Sequence, residues 1–442
     1  FKKMLGQEPI EVYDTTEDKK RVLNTFETTA AAEKAAVIQE AFNDWIWQDA
    51  DRTARLVAEY NRRFNSTVLR DYSYEGSLLT FPGLTKSFTP RDHQRAAIAR
   101  MIHERSVGLF HSVGAGKTAE MIIGISELKR LGLIHKAAMV VPNHMLNQFA
   151  GDWLQLYPQA KILAASSDDL NVENRRRFIA KIATNDWDAV IMTRTAFQRI
   201  QLSPENEQAF EERQIATARE QITRLKAGEN GSGAALRRIE KQLASREEKL
   251  RAQRDVARDD GLNWEQTGFD YLGVDELHDF KNLQTVSAVR DVNIDGSKRA
   301  MDLFAKIDYH RNTLGQDRVM VGATATPIAN SIAEMYVMQR YIDPAALERV
   351  GIDDMDSWIA TFAEVVTAPE LSVAGGERLV WKNRVAKFNN VPELLAMFHA
   401  FGDVKTPEDL KLPVPAIAPR PEDGERLPHT LIVPASDALT GY

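Results

Sequence analysis

Cysteine is absent from the 442 residues. Disulfides, thiolate zinc sites and cysteine nucleophiles are therefore excluded, and a reducing cytoplasm is the expected location. No apolar run reaches the ~18 residues that a membrane-spanning helix needs, so no membrane partner is expected. Phe1-Lys2-Lys3-Met4 lacks the apolar core of a signal peptide. A chain that starts on a residue other than Met is expected to be a piece of something longer. The nine histidines show no H-E-x-x-H or comparable metal spacing. An excess of positive charge is also missing, because the formal charge is −7. A protein that coats nucleic acid through its net charge would be basic, so any such contact here must use a local patch.

The composition that remains, 43% hydrophobic and 27% charged, is that of an ordinary globular protein. The length exceeds a typical domain of ~100–200 residues, which predicts one large core domain with attached segments. Residues 1–87 read as an N-terminal helical region and connector. Ala30 to Glu59 carries Phe42, Trp45, Trp47 and Leu56 at helical spacing, and Asp71 to Phe88 is broken by Gly76, Pro82 and Gly83. From Phe88 short β-branched runs alternate with amphipathic helices. The candidate strands are Val107–Phe110, Ala138–Val141, Ile162–Ala165, Ala189–Thr193, Tyr271–Val274 and Val319–Ala323. That alternation predicts an α/β domain over 88–330, a parallel sheet covered on both faces. Its ligands should bind beyond the carboxyl ends of the strands.

Ser203 to Gly261 interrupts the alternation. Ile215, Ala218, Ile222 and Leu225 are spaced as a coiled-coil seam. The turn Gly228-Glu229-Asn230-Gly231-Ser232-Gly233 follows, and Leu236, Ile239, Leu243 and Leu250 continue the seam. An inserted antiparallel helical hairpin is expected, either a solvated arm or one that contacts a partner or DNA. A helical extension is predicted over 331–411. Residues 412–442 read as a linker: Leu412 to Pro428 is Pro-rich, and Thr430-Leu431-Ile432-Val433 looks like a strand opening a further domain.

Three blocks carry chemistry. His111-Ser112-Val113-Gly114-Ala115-Gly116-Lys117-Thr118 stands between a strand and the predicted helix Ala119–Leu131, the context of a phosphate-binding loop. Gly114, Ala115 and Gly116 would turn backbone N–H groups onto phosphate oxygens, Lys117 would supply a point charge, and the Thr118 hydroxyl would ligate Mg²⁺. His111 stands where the strict pattern has its first glycine. The second block, Val274-Asp275-Glu276-Leu277-His278, ends an apolar strand in two carboxylates. Asp275 would hold Mg²⁺, and Glu276 would orient and deprotonate a water. The third, Gly322-Ala323-Thr324-Ala325-Thr326-Pro327, places hydroxyls at another strand end. ATP and Mg²⁺ are the expected ligands, with Lys117, Asp275 and Glu276 as the catalytic groups.

Together the blocks resemble helicase motifs I, II and III. Thr324-Ala325-Thr326-Pro327-Ile328-Ala329-Asn330-Ser331-Ile332-Ala333-Glu334-Met335-Tyr336 resembles the Swi/Snf-type pattern T-G-T-P-I-x-N-S-x-x-E-L-Y. Asp275-Glu276-Leu277-His278-Asp279-Phe280-Lys281-Asn282 is similar to D-E-A-H-x-x-K-N of the same group. Phe88-Thr89-Pro90-Arg91-Asp92-His93-Gln94 resembles its L-R-x-Y-Q motif, which implies that Gln94 reads adenine. Val140-Val141-Pro142-Asn143-His144-Met145-Leu146-Asn147-Gln148-Phe149 is similar to motif Ia. More narrowly, residues 88 to about 415 resemble the helicase part of phage- and plasmid-borne proteins that join an adenine-specific DNA methylase to a Swi/Snf-like helicase.

The resemblance implies a RecA-like first lobe of a superfamily-2 motor that hydrolyses ATP to translocate on duplex DNA. His278, Thr324 and Thr326 would couple the ATP site to a DNA surface. Asn143, His144, Arg194 and Thr195 would touch phosphates, and Arg175-Arg176-Arg177 is either a basic patch or a solvated helix face. The implied partners are DNA, a second RecA-like lobe and a methylase domain, inside a bacterial host. The family's arginine finger lies in the second lobe, of which no sequence follows Tyr442, and N-P-P-Y is absent. An arginine finger is worth ~10³–10⁵ in rate, so this chain alone is expected to bind ATP weakly and hydrolyse little. The rival readings are a strand-separating DNA or RNA helicase and a non-catalytic nucleotide-binding module.

Overall fold

In the computed structural model of the chain, most strands of the main sheet grow from a short run that is buried along its length. The structure describes residues 10, 12–15, 21–166, 168–171, 174–227, 233–254, 263–287, 289, 292–329, 331–371, 379–411, 418–420 and 424–426. The strands of the main sheet are β1 (Val107–His111), β2 (Ala137–Val141), β3 (Ile162–Ala165), β4 (Ala189–Thr193), β5 (Tyr271–Asp275), β6 (Met320–Ala323) and β7 (Gly402–Lys405). Five of them are buried at every position, the mark of a sheet covered on both faces. Alternate residues serve opposite cores: Ala138 and Val140 of β2 join one cluster, Ala137, Met139 and Val141 the other.

The seven strands lie in the order β7-β1-β6-β5-β2-β4-β3. The pairings β1·β6, β6·β5, β5·β2, β2·β4 and β4·β3 are all parallel. This is the parallel α/β arrangement that the alternating pattern implies, and the RecA-like one that the resemblance implies. Register keeps the carboxyl ends flush. Asp275 pairs with Ala323, and Leu109 of β1 pairs with the same Ala323. Val141 lies beside Thr193 one side further along. The loops after β1, β6 and β5 are therefore neighbours, and those after β2 and β4 follow on the same rim.

The attached segments depart from expectation in several places. Ala30 to Glu59 is two helices, Thr25–Gln48 and Ala50–Phe64, because the Asp49 side chain accepts from Arg52 N and caps the second. Trp45 and Trp47 stay exposed, so their helical spacing marks no core. A small antiparallel pair, Tyr13–Thr15 with Arg21–Leu23, precedes them. The inserted hairpin forms as helices Pro204–Ala227 and Gly233–Arg254. Ile215, Ala218 and Ile239 of its seam are buried, whereas Ile222, Leu236, Leu243 and Leu250 are half-buried. The turn at 228–232 and the Leu225 side chain lie outside the described residues. The extension past 331 is not all helical. After Met355–Phe362 the chain turns into strand Ala363–Leu371, which pairs antiparallel with Leu379–Phe388. Helix Val391–Phe401 then leads into β7, so the sheet of the core domain is completed by residues well past 330.

The chain divides into Phe1–Val404 and Lys405–Tyr442. In the second unit the described part holds a short helix, Pro407–Leu410, capped by Thr406. Asn330, most of the Pro-rich stretch and Thr430–Val433 lie outside the described residues. Among the described residues no helix is long and apolar enough to cross a membrane.

Candidate active site

The phosphate-loop sequence leaves β1 at His111 and enters helix Lys117–Arg130 directly. Gly114 (φ 83°) and Gly116 (φ 92°) both take left-handed backbone, which an L side chain rarely adopts. Space is closed at Gly116 as well, since a Cβ there would stand 2.3 Å from Gln94 Nε2. Gly116→Ala is expected to cost about 1–2 kcal/mol of stability, measured by urea unfolding. An unchanged midpoint would mean that the loop is not held in this conformation.

Lys117 lies folded back on its own loop. Its Nζ donates to His111 O at 2.9 Å and to Ser112 O at 3.3 Å. Burial pulls its pKa down, while Glu276, Glu120 and Asp275 act in the opposite direction. A half-buried ammonium satisfied only by loop carbonyls is poised for an anion. Asp275, 6% exposed at the end of β5, is pushed up to about 6 by burial and then by Glu276. A carboxylate held in so unfavourable a place suits a site that receives a cation. The next residue, Glu276, is half-exposed and adopts left-handed backbone, φ 53° and ψ 55°, as a non-glycine. Such strain costs about 1–3 kcal/mol and persists where the surroundings fix it.

His278 ties the second block to the third. Its Nδ1 stands 3.0 Å from Glu276 Oε2 and 2.9 Å from Thr324 Oγ1. Thr324 is fully buried; its N donates to Leu109 O, and its Oγ1 accepts from Thr326 N at 3.1 Å. The Thr326 side chain is exposed. Two departures from the family pattern find local reasons. Leu277 fills the room left by Gly322, where a Cβ would meet Leu277 Cδ2 at 2.5 Å. Ala325 is not among the described residues with positive φ, so that turn does not require glycine. The tails of the two blocks also meet, with Lys281 Nζ 2.9 Å from Glu334 Oε1. Glu334 Oε2 accepts from Ala329 N at 2.6 Å.

Other candidates fall into two groups. Gln94 is 5% exposed and uses both amide ends: Oε1 accepts from Arg91 N, and Nε2 donates to Ala115 O at 3.1 Å. Its contact here is with the phosphate loop. Thr118 stands half-buried in the first turn of the loop helix. Asn143 and His144 are exposed on a short 3-10 turn just past β2, and Thr195 is exposed just past β4. Arg194 is paired with Asp279 of the second block and is mostly buried. Burial and then Arg299 pull its pKa down, against Glu276 and Asp275. Of the rim residues, Arg194 therefore faces the carboxylate cluster. Sequence reasoning missed a set beneath the loop, buried at Arg100 and Glu120 and nearly so at His93 and Asp403. Nothing in the local sequence of Asp403 marks it, because it reaches the loop only through the fold.

The residues present fit a magnesium nucleotide: two left-handed glycines, an ammonium without an anion, a hydroxyl at the helix start and a buried carboxylate opposite. The family described as a probable helicase domain matches residues 100–406. A domain of unknown function (DUF8437) matches residues 1–66. No curated protein matches. Among solved structures, the Sulfolobus solfataricus SWI2/SNF2 ATPase core in complex with dsDNA is 15% identical with a TM-score of 0.41. That match covers 76% of this chain and 48% of the other. The Sulfolobus solfataricus SWI2/SNF2 ATPase core domain is 13% identical with a TM-score of 0.39, covering 78% and 49%. The chain thus spans about half the length of these structures.

Proposed function

Because the chain belongs to the family of probable helicase domains, which matches more than half of it, we propose that it is the ATP-binding first lobe of a Swi/Snf-like duplex-DNA translocase. The observation that carries this reading is the bridge from Glu276 through His278 to Thr324, set on the rim that also bears the phosphate loop. A site that only stored nucleotide would have no use for a base wired to a neighbouring strand end.

The geometry supports the following roles. The amides from Gly114 to Lys117 converge on phosphate oxygens, with the helix start adding its dipole. Lys117 exchanges the His111 and Ser112 carbonyls for phosphate. Thr118 Oγ1 and Asp275 would hold Mg²⁺, which supplies charge neutralisation of the phosphoryl oxygens. Glu276 accepts the proton of the attacking water. Its close neighbour His278, 3.0 Å away, passes any change in that carboxylate to Thr324, and so to the loop after β6. Gln94, which the resemblance assigns to adenine, braces the loop through Ala115. Hydrolysis at a useful rate needs the second lobe that the resemblance implies, and a methylase domain on the same polypeptide belongs to the same reading. So do a cytoplasmic setting and a mobile-element origin.

DNA would pass over the loops after β2 and β4, touched through phosphates because a translocase must accept any sequence. Replacing Asn143 and His144 together by Ala is expected to weaken duplex binding about tenfold, equally for unrelated sequences. Fluorescence anisotropy on two such duplexes measures this, and a loss confined to one sequence would contradict it. The functional reading itself is tested by displacement assays on the polypeptide that carries both lobes. Triplex displacement without unwinding of a forked duplex supports translocation. Efficient fork unwinding would make it a strand-separating helicase, and neither activity would leave a binding module.

A further inference from the structure

Five side chains that the ATPase reading does not use gather directly beneath the phosphate loop, three of them buried and His93 and Asp403 nearly so. His111 is fully enclosed and bridges two carboxylates. Its Nδ1 is 3.0 Å from Glu120 Oε2 in the first turn of the loop helix, and its Nε2 is 3.2 Å from Asp403 Oδ2 on β7. Arg100 completes the balance from the Asp92–His103 helix, 4.0 Å from Asp403 Oδ1. Its Nη2 donates to His399 O and Ala400 O at 2.8 and 2.7 Å. His93 closes the circuit: Nε2 lies 2.9 Å from Ala115 O in the loop and 3.7 Å from Glu120 Oε1. Two cations thus meet two anions with little water. Burial opposes the His111 charge, but Asp403 and Glu120 outweigh it and push its pKa up to about 9.

Apolar packing holds the same junction from the other side. Phe110, the residue before His111, stacks on Phe398 at 5.2 Å and meets Phe401 edge-on at 6.1 Å. Gly402 lies so close that a Cβ would stand 2.6 Å from the Phe110 ring. Strand β7 and the helix before it therefore grip β1 at the point where β1 becomes the phosphate loop.

We infer that His111 is a positioning residue that couples the phosphate loop to strand β7, so that nucleotide binding and the docking of β7 strengthen each other. Pulling Asp403 away would leave two cations, His111 and Arg100, facing Glu120 alone, and Glu120 sits in the first turn of the helix that must face phosphate. A docked β7 holds that turn ready. By reciprocity, a bound nucleotide must favour the docked strand to the same degree. The coupling gives the segment that leaves the sheet through β7 a means of sensing whether the ATP site is filled. It rests on the nucleotide reading of the loop.

The test uses the full chain with Mg²⁺ and a fluorescent ADP analogue. Asp403→Asn and His111→Gln are each expected to weaken binding about fivefold or more, and the double variant to be no weaker than the worse single one. Hydrogen exchange in the unaltered chain is the second measurement and needs no variant. Amides of Gly402–Val404 should exchange more slowly when Mg·ADP is bound. Unchanged affinity in Asp403→Asn, with exchange at 402–404 indifferent to nucleotide, would overturn the coupling and reduce the cluster to structure. Should the unaltered chain bind no ADP, the nucleotide site itself is wrong and the coupling falls with it. Should it bind ADP while both coupling measurements stay flat, only the coupling falls.

Discussion

Glu276→Gln is expected to lower DNA-stimulated ATP hydrolysis about 10²–10⁴-fold, in a polypeptide that also carries the second lobe, and to leave nucleotide affinity nearly intact. Glutamine keeps the shape and can still donate or accept a hydrogen bond toward His278, but it cannot take a proton from water. The strained backbone at φ 53° shows that the fold positions this side chain at some cost. Its carboxylate touches His278, which in turn touches Thr324. The variant should therefore trap the nucleotide-bound state without dismantling the site. Steady-state hydrolysis and ADP titration, run side by side, separate the two effects. Equal losses in affinity and turnover would show that Glu276 helps to build the site and is not the base.

Lys117→Ala should instead strike at binding. The ammonium lies half-buried on two loop carbonyls, and burial already weakens its hold on the proton. A hydrogen bond to a charged group is worth about 1.5–3 kcal/mol, so its loss should weaken Mg·ADP by about 10–100-fold. Removing the cation also relieves the free protein of a desolvated charge. The variant should be no less stable than the parent, which thermal unfolding checks. Retained affinity in a well-folded Lys117→Ala protein would mean that the loop does not bind phosphate.

The two substitutions draw on features of unequal legibility. The central strands could be read because a sheet covered on both faces needs uninterrupted apolar runs, and AAMVV, AVIMT and YLGVD supply them. The hairpin insertion could be read from its 3-4 spacing. Strand β7 could not: GDVK holds one large apolar residue, and its place in the sheet comes from Gly402 fitting beneath Phe110. Residues Ala363–Leu371 follow a helix with no breaking residue between, so the helical pattern runs on into what is a strand. Asp49 looked like one more polar helix residue until its capping of Arg52 N split the helix in two.

The site divides in the same way. The phosphate loop and the two later blocks are contiguous in sequence, since each is a strand end and the loop that follows it, so their residues could be named in advance. Contacts between blocks were hidden. Nothing local joins His278 to Thr324, Arg194 to Asp279 or Lys281 to Glu334. The cluster around His111 was further out of reach, because its members come from two helices and two strands. At that position the sequence shows a missing glycine; the structure shows a buried imidazole between two carboxylates.

A crystal structure of the chain grown with Mg²⁺ and ADP tests the central claim most directly. The account predicts the β-phosphate on the amides of Gly114 to Lys117, with Lys117 Nζ lifted from the His111 and Ser112 carbonyls onto it. Mg²⁺ should lie between Thr118 Oγ1 and Asp275. Nucleotide bound elsewhere, with Lys117 still on its two carbonyls, would contradict it.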